Sequence, residues 1–336
     1  MLSVTDLAST LIKIPSVSGQ ETEVENLLYG EITRLGLDCV RIPVQGQKAN
    51  NLFAYRGKPK VLLSTHMDVV PAPSQLFSPV VKNNRLIGRG ACDAKGLMAA
   101  MLCATENLIM ANKEGFGVLF VVGEETGGIG ARAAAQALLP LGVEWIINGE
   151  PTEGKLMRGH KGTLDFTLET FGKACHSGYP ERGESAIDKL IVVLSDLISM
   201  RLPINSALGP STINIGKISG GVAENILAPS AQACVLVRTS QPSATILDMI
   251  STCVGNRAKI LNIAFTDPVA LHVLPGFETD VAAYGSDIPN LLPIGAKFLL
   301  YGPGSIFEAH TDSESIAIDE LESSVGKYGD IVSSLL

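Results

Sequence analysis

His66, Asp93, Glu125, Glu150 and His310 together supply two imidazoles and three carboxylates, the donor set of a centre for two metal ions. If one carboxylate bridges, each ion receives one imidazole and one terminal carboxylate, which leaves an open position between them for water. Asp93, short and predicted to sit at the start of a helix, is the choice of bridge. Two cations about 3.5–4 Å apart lower the pKa of a shared water towards or below the ~7 of a single catalytic zinc. Glu124, next to the ligand Glu125 but aimed differently, is then free to take that water's proton. Mixed His and carboxylate ligation favours two Zn2+ per chain and also admits Co2+ or Mn2+. Each residue taken singly has a plainer reading. His66-Met-Asp68 is a common tripeptide pattern, Asp93 reads as a helix N-cap, and Glu124-Glu125 reads as a solvated turn. It is the recurrence that changes this, because strand after strand is predicted to end on a His or a carboxylate.

The elements that must position these groups follow from the apolar pattern. Val61 to Leu63 is a short apolar run before His66 and Asp68, and Val118 to Val122 is another before Gly123-Glu-Glu-Thr-Gly-Gly128. Val143 to Ile147 leads to Glu150, and Lys297 to Tyr301 leads to Gly302-Pro-Gly-Ser305 and then His310. Ligands in open α/β sheets bind just beyond the carboxyl ends of strands, where all of these residues fall. In extended chain His66 and Asp68 point to the same side, so the Asp68 carboxylate is expected to reach one ring nitrogen while the other faces a metal. Ser3 to Ile14, Glu21 to Leu35 and the nearly all-apolar Leu97 to Met110 are predicted helices.

Between residues 161 and 271 the pattern changes. Thr163 to Thr170 alternates apolar and polar, and a helix (Ser185 to Met200), two strands (Ser211 to Ile218, Ala231 to Arg238), a helix (Ala244 to Val254) and a strand (Lys259 to Phe265) follow. This β-α-β-β-α-β order is a ferredoxin-like unit. The expectation is an α/β protein in which residues 1–160 and 272–336 form a catalytic domain with a central mixed sheet flanked by helices, and residues 161–271 are inserted as an α+β domain.

Composition narrows the function classes. The chain has 336 residues, 46% of them hydrophobic, and a formal net charge of −8. Such a chain is long enough for two cores, and without a basic stripe nucleic acid is not an expected partner. No apolar run approaches the roughly 20 residues of a spanning helix and no secretory leader is visible, so no membrane association and a cytoplasmic location are expected. The six cysteines include no Cys-x-x-Cys pair, as expected of reduced thiols.

Ser64-Thr-His-Met-Asp-Val-Val-Pro71, Gly88-Arg-Gly-Ala-Cys-Asp-Ala-Lys-Gly96, Gly123-Glu-Glu-Thr-Gly127, Gly149-Glu-Pro-Thr152, Gly302-Pro-Gly-Ser-Ile306 and Ala309-His-Thr311 resemble the co-catalytic zinc amidohydrolases. That family includes acetylornithine deacetylase, succinyl-diaminopimelate desuccinylase and several carboxypeptidases. The resemblance covers essentially the whole chain. It implies His66, Asp93 and Glu150 on one metal, Asp93, Glu125 and His310 on the other, Glu124 as general base, and Asp68 orienting His66. It further implies that the inserted domain is a lid and dimerisation module and that the chain is a homodimer. His176 corresponds to a lid histidine that polarises the scissile carbonyl, although Cys175 stands before it where a small or polar residue is usual. Asn225 and Arg238 match substrate-holding positions, as do Gly304 and Ser305. Arg238 also reads as a surface ion-pair partner, and His160 and His272 as ordinary histidines.

Gly159-His-Lys-Gly162 and Tyr301-Gly-Pro-Gly-Ser-Ile306 look most like the acetylornithine deacetylase branch. The expected reaction is hydrolysis of a small-molecule N-acyl amino acid with water as co-substrate. By that resemblance it is deacetylation of N-acetylornithine, acetylcitrulline or acetyl-lysine in arginine or lysine biosynthesis. Desuccinylation of N-succinyl-diaminopimelate and dipeptide cleavage are the catalytic alternatives. A homologue that binds amino-acid derivatives without turnover is the non-enzymatic alternative. Such a descendant would be free to lose Glu124 or a ligand, and none is lost here.

Overall fold

The computed structural model describes residues 3–336, which divide into two compact units. The first comprises residues up to 158, 271–280 and 286–336; the second comprises residues 159–270 and 281–285.

In the first unit a six-stranded sheet runs in the order Asp38–Ile42, Asn51–Arg56, Phe116–Val121, Val61–His66, Trp145–Asn148, Lys297–Leu300. The last four are mutually parallel, Asn51–Arg56 pairs antiparallel with Phe116–Val121, and Asp38–Ile42 pairs antiparallel with Asn51–Arg56. Every residue of Val61–His66 and Phe116–Val121 is buried, which is why these segments read as unbroken apolar runs with no alternation. The chain leaves Val61–His66 for Phe116–Val121 on one side, then crosses to Trp145–Asn148 on the other. Connections therefore diverge at the carboxyl end of the His66 strand, and that divergence opens a crevice for a site.

Helix Lys95–Met110 is buried continuously from Lys95 to Thr105 and packs against helices Val4–Ile12 and Ile318–Leu335. Its start differs from the N-cap reading of Asp93. The cap position is Ala94, which makes no side-chain cap bond, so the Asp93 carboxylate is left for other partners. Ser3 caps Val4–Ile12 through the Asp6 amide, as Ser-initiated helices commonly do.

The second unit contains four antiparallel strands in the order Thr212–Gly220, Ser230–Thr239, Gly162–Phe171, Lys259–Thr266. This is the ferredoxin-like arrangement expected from the element order. Leu164, Phe166 and Leu168 face inward with helices Ala186–Ser199 and Ser243–Val254, while Asp165, Thr167 and Glu169 face outward. Burying each of those apolar side chains is worth about 1.5–3 kcal/mol, which fixes the register of the strand. Among the described residues no helix is long and apolar enough to cross a membrane.

Candidate active site

His66 ends its strand almost completely buried. Its Nδ1–H donates to the Asp68 carbonyl oxygen at 3.0 Å. A carbonyl only accepts, so Nδ1 carries the proton, and Nε2 is the nitrogen that faces Asp93 Oδ1 at 3.0 Å. The Asp68 carboxylate lies 3.6 Å from Nδ1, too far for the hydrogen bond its spacing suggested. Instead its two oxygens accept the backbone N–H groups of Glu124 and Glu125, each at 3.1 Å, and the Ser18 hydroxyl at 2.7 Å. Asp68 therefore orients the ring through its backbone and holds the Glu124-Glu125 turn through its side chain.

Asp93 lies between the two imidazoles. Oδ1 faces His66 Nε2 at 3.0 Å, and Oδ2 faces His310 Nε2 at 3.4 Å. His310 Nε2 is also 2.8 Å from Glu125 Oε1. Ligand atoms of His66, Asp93 and Glu150 come within 4.8 Å of one another, as do those of Asp93, Glu125 and His310. The first group is wholly buried, and in the second Glu125 is half-buried and His310 exposed.

Burial pushes the Glu124 and Glu150 carboxyls well above the usual range, with neighbouring carboxylates adding to the effect. Glu124 keeps partial contact with solvent, but enough protein and like charge surround it for burial to dominate. Burial also opposes charge on Asp93, yet its bonds to His310 and His66 outweigh this and hold its carboxyl below the normal range. Hydrogen bonds that His310 donates to the Asp93 and Glu125 carboxylates lift its imidazole to about 10. Acids thus outnumber the two imidazoles around largely buried carboxylates, an arrangement that calls for added positive charge. Glu150 Oε1, buried without a hydrogen-bond partner among the described residues, is a second sign of the same demand. The donor set and this orphaned oxygen fit a pair of divalent cations.

The comparisons with known proteins address the chemistry. Residues 62–334 match the model of the peptidase family M20/M25/M40. The chain belongs to this family. A peptidase M20 domain-containing protein of Schizosaccharomyces pombe is 39% identical over 334 residues, covering 96% of this chain and 82% of that protein. A probable carboxypeptidase of Emericella nidulans is 34% identical over 374 residues, covering 97% and 88%. In fold, the chain is similar to an M20 family metallo-carboxypeptidase from Sulfolobus solfataricus, with a TM-score of 0.82, 19% identity and 100% and 99% of the two chains covered. M20 membership makes the protein a hydrolase of the metallopeptidase kind. The relatives' names are those of peptidases and carboxypeptidases, which leaves the acetylornithine deacetylase branch as a substrate question.

The remaining predicted site residues fall into two sets. Gly304 and Ser305 belong to the same unit as the metal ligands. Gly304 has φ +84°, and a Cβ there would come within 2.6 Å of Cys92 Cβ, so only glycine suits this close approach. The Ser305 hydroxyl is engaged by Glu153 at 2.9 Å. His176, Asn225 and Arg238 belong to the second unit. Exposed His176 accepts the Gly178 N–H at 3.0 Å on Nδ1, and the Asn225 carbonyl accepts from Ser177 N–H at 2.9 Å, so these two loops are adjacent. Arg238 lies on strand Ser230–Thr239, opposite Thr163 and Thr212. His272 packs edge-on against Trp145 at 5.4 Å, and buried His160 donates from Nδ1 to the Lys161 carbonyl while its Nε2 has no hydrogen-bond partner among the described residues.

Three contributors were not legible in the sequence. Ser18 reaches Asp68 across 50 residues. Asp287 is buried, and burial raises its carboxyl to about 7, with Asp68 and Glu125 close enough to contribute and His66 opposing. Glu314 binds the Asp93 loop from more than 220 residues away. Gly285-Ser-Asp287 and Thr311-Asp-Ser-Glu314 have no spacing signal of their own. Only proximity to ligand-bearing segments could have drawn attention to them.

Proposed function

We propose that this protein hydrolyses a linear amide whose nitrogen belongs to an amino acid with a free carboxylate, in an N-acyl amino acid or a short peptide. The observation that carries the reading is the Asp93 carboxylate, with one oxygen turned to each imidazole and with Glu124 beside both ligand groups but in neither. His66, Asp93 and Glu150 would hold one ion and Asp93, Glu125 and His310 the other, with zinc the best match to this donor set. Bound there, the two ions lower the pKa of water and polarise the scissile carbonyl.

The chain's own groups supply the rest. Glu124 takes a proton from the attacking water and returns it to the departing nitrogen, as a general base that becomes a general acid. Asp68 keeps Glu124 aimed by accepting its backbone N–H. By resemblance, His176 donates to the carbonyl oxygen as negative charge develops there, and the Arg238 guanidinium pairs with the substrate carboxylate. If His176 acts across a homodimer, mixing exchangeable His176→Ala and Glu124→Gln chains restores activity that neither has alone.

N-acetylornithine, acetylcitrulline and acetyl-lysine are the substrates the sequence motifs favour, and the names of the fungal relatives favour release of a C-terminal residue from a peptide. Both cleave the same bond type with the same leaving group. The test is amine release by metal-replete protein from a panel of these acetyl amino acids, N-succinyl-diaminopimelate and dipeptides. Cleavage of at least one, abolished by chelation and restored by Zn2+ or Co2+, is the expected result. Folded, metal-replete protein that binds such compounds but cleaves none overturns the reading in favour of a binding homologue.

A further inference from the structure

Glu314 is completely buried four residues after His310. Its Oε1 accepts backbone N–H groups from Gly90 at 3.0 Å, Cys92 at 3.1 Å and Asp93 at 3.1 Å. The Cys92 thiol lies 3.5 Å from the same oxygen. Oε2 accepts from Arg89 Nη1 at 2.6 Å, an ion pair closed to solvent on both sides. The Glu314 carbonyl adds a bond from Gly88 N–H at 3.0 Å. One residue therefore stitches the whole Gly88–Asp93 loop to the segment that carries His310. Nothing in the reaction outlined above uses this carboxylate, although burying it is costly unless it is fully paired.

The geometry points to Glu314 as a positioning residue: its carboxylate fixes the separation of Asp93 from His310 and thereby shapes the half-exposed metal site. This inference rests on the two-metal reading of the site. Asp93 and His310 are 217 positions apart in sequence, and their facing atoms are only 3.4 Å apart. His310 is half-exposed, so packing surrounds only part of its ring. On the buried side His66 is set by its strand and its Nδ1 bond, and Glu150 by the end of the neighbouring strand. In that half only Asp93 depends on Glu314, and its Oδ1 is held in addition by His66 Nε2 at 3.0 Å.

The selectivity of the effect is what tests the idea. Glu314→Gln keeps an oxygen for the backbone donors but presents an amide N–H2 to the Arg89 guanidinium, so donor faces donor. Co2+ alone, titrated into chelator-stripped full-length protein, reads both sites by absorption and calorimetry without substrate. Wild type is expected to take up two ions. In the variant the weaker site is expected to lose about 10–100-fold in affinity, as removal of a group supporting a ligand commonly does, while the tighter site changes by less than about threefold. A merely structural role would lower the melting temperature without separating the two sites. If Glu314→Gln does not fold, Arg89→Lys carries the same test, since it keeps the charge and loses the guanidinium fork; the expected loss is towards the lower end of that range. A folded variant with both affinities unchanged, or with both reduced alike, overturns the positioning role. Wild-type protein that binds fewer than two ions overturns the two-metal reading and this inference with it.

Discussion

The His66–Asp93–Glu150 half of the centre is buried, whereas the Asp93–Glu125–His310 half ends in an imidazole that is 50% exposed. In the buried half His66 ends a strand and is paired there with Val121, Glu150 follows two residues after the adjacent parallel strand Trp145–Asn148, and Asp93 comes from the loop before helix Lys95–Met110. In the exposed half, Glu125 comes from a turn held by Asp68, and His310 from the loop between strands Lys297–Leu300 and Ser315–Ala317. Asp93 belongs to both halves and serves each with a separate oxygen. Rigidity and access are thus divided between the halves: one is set by the fold, and the other remains open towards solvent, from which water and substrate arrive.

The largest effect that tests this division is at the shared ligand. Asp93→Ala is expected to lose both ions and to lower kcat by about 10⁴-fold or more, because neither half keeps its set of donors. Metal analysis beside a rate assay checks it, and full retention of one tightly held ion would show that Asp93 does not bridge. Next comes Glu124→Gln. It should retain both ions while kcat falls about 10²–10⁴-fold, or about 3–5 kcal/mol of barrier. A near-normal kcat removes the proton-transfer role, and loss of an ion along with activity makes Glu124 a ligand.

Smaller effects separate the halves themselves. His66→Ala opens a buried gap and removes one of the two imidazoles that face Asp93, so it is expected to cost about 2–4 kcal/mol of stability in addition to metal. His310→Ala, at an exposed loop, is expected to cost less than about 1 kcal/mol while abolishing one site. Denaturant melts of chelator-stripped proteins make the comparison, and equal losses would erase the distinction between the halves. The mildest probe leaves the sequence untouched. Brief chelation should remove metal in two phases, with the exposed-half ion leaving first and activity following that first phase. A single phase for both ions would mean that access does not differ between the halves.

The second unit was readable almost element by element. Thr163 to Thr170 alternates because one face packs on helices and the other meets solvent, and this two-residue period survives in the sequence. The buried strands before His66, Glu124 and Glu150 were visible as apolar runs for the complementary reason, being covered on both faces. Strands Asp38–Ile42 and Asn51–Arg56 and the hairpin Val80–Lys82 with Arg85–Ile87 carried no such mark. They are short and mixed in character, and pairing with neighbours rather than local pattern makes them strands.

The sequence alone determined which residues could bind metal, because donor chemistry belongs to side-chain type and the strand ends that present them leave an apolar signature. Tertiary structure decided how those donors are held. It left the Asp68 carboxylate 3.6 Å from His66 Nδ1 and bonded it to the Glu124 and Glu125 amides, and it freed Asp93 from capping the helix behind it. It also brought Glu314 and Ser18 to loops far from them in the chain. The reason is that a buried carboxylate must find donors wherever packing leaves them, and unpaired backbone N–H groups on a loop are invisible until the loop is folded.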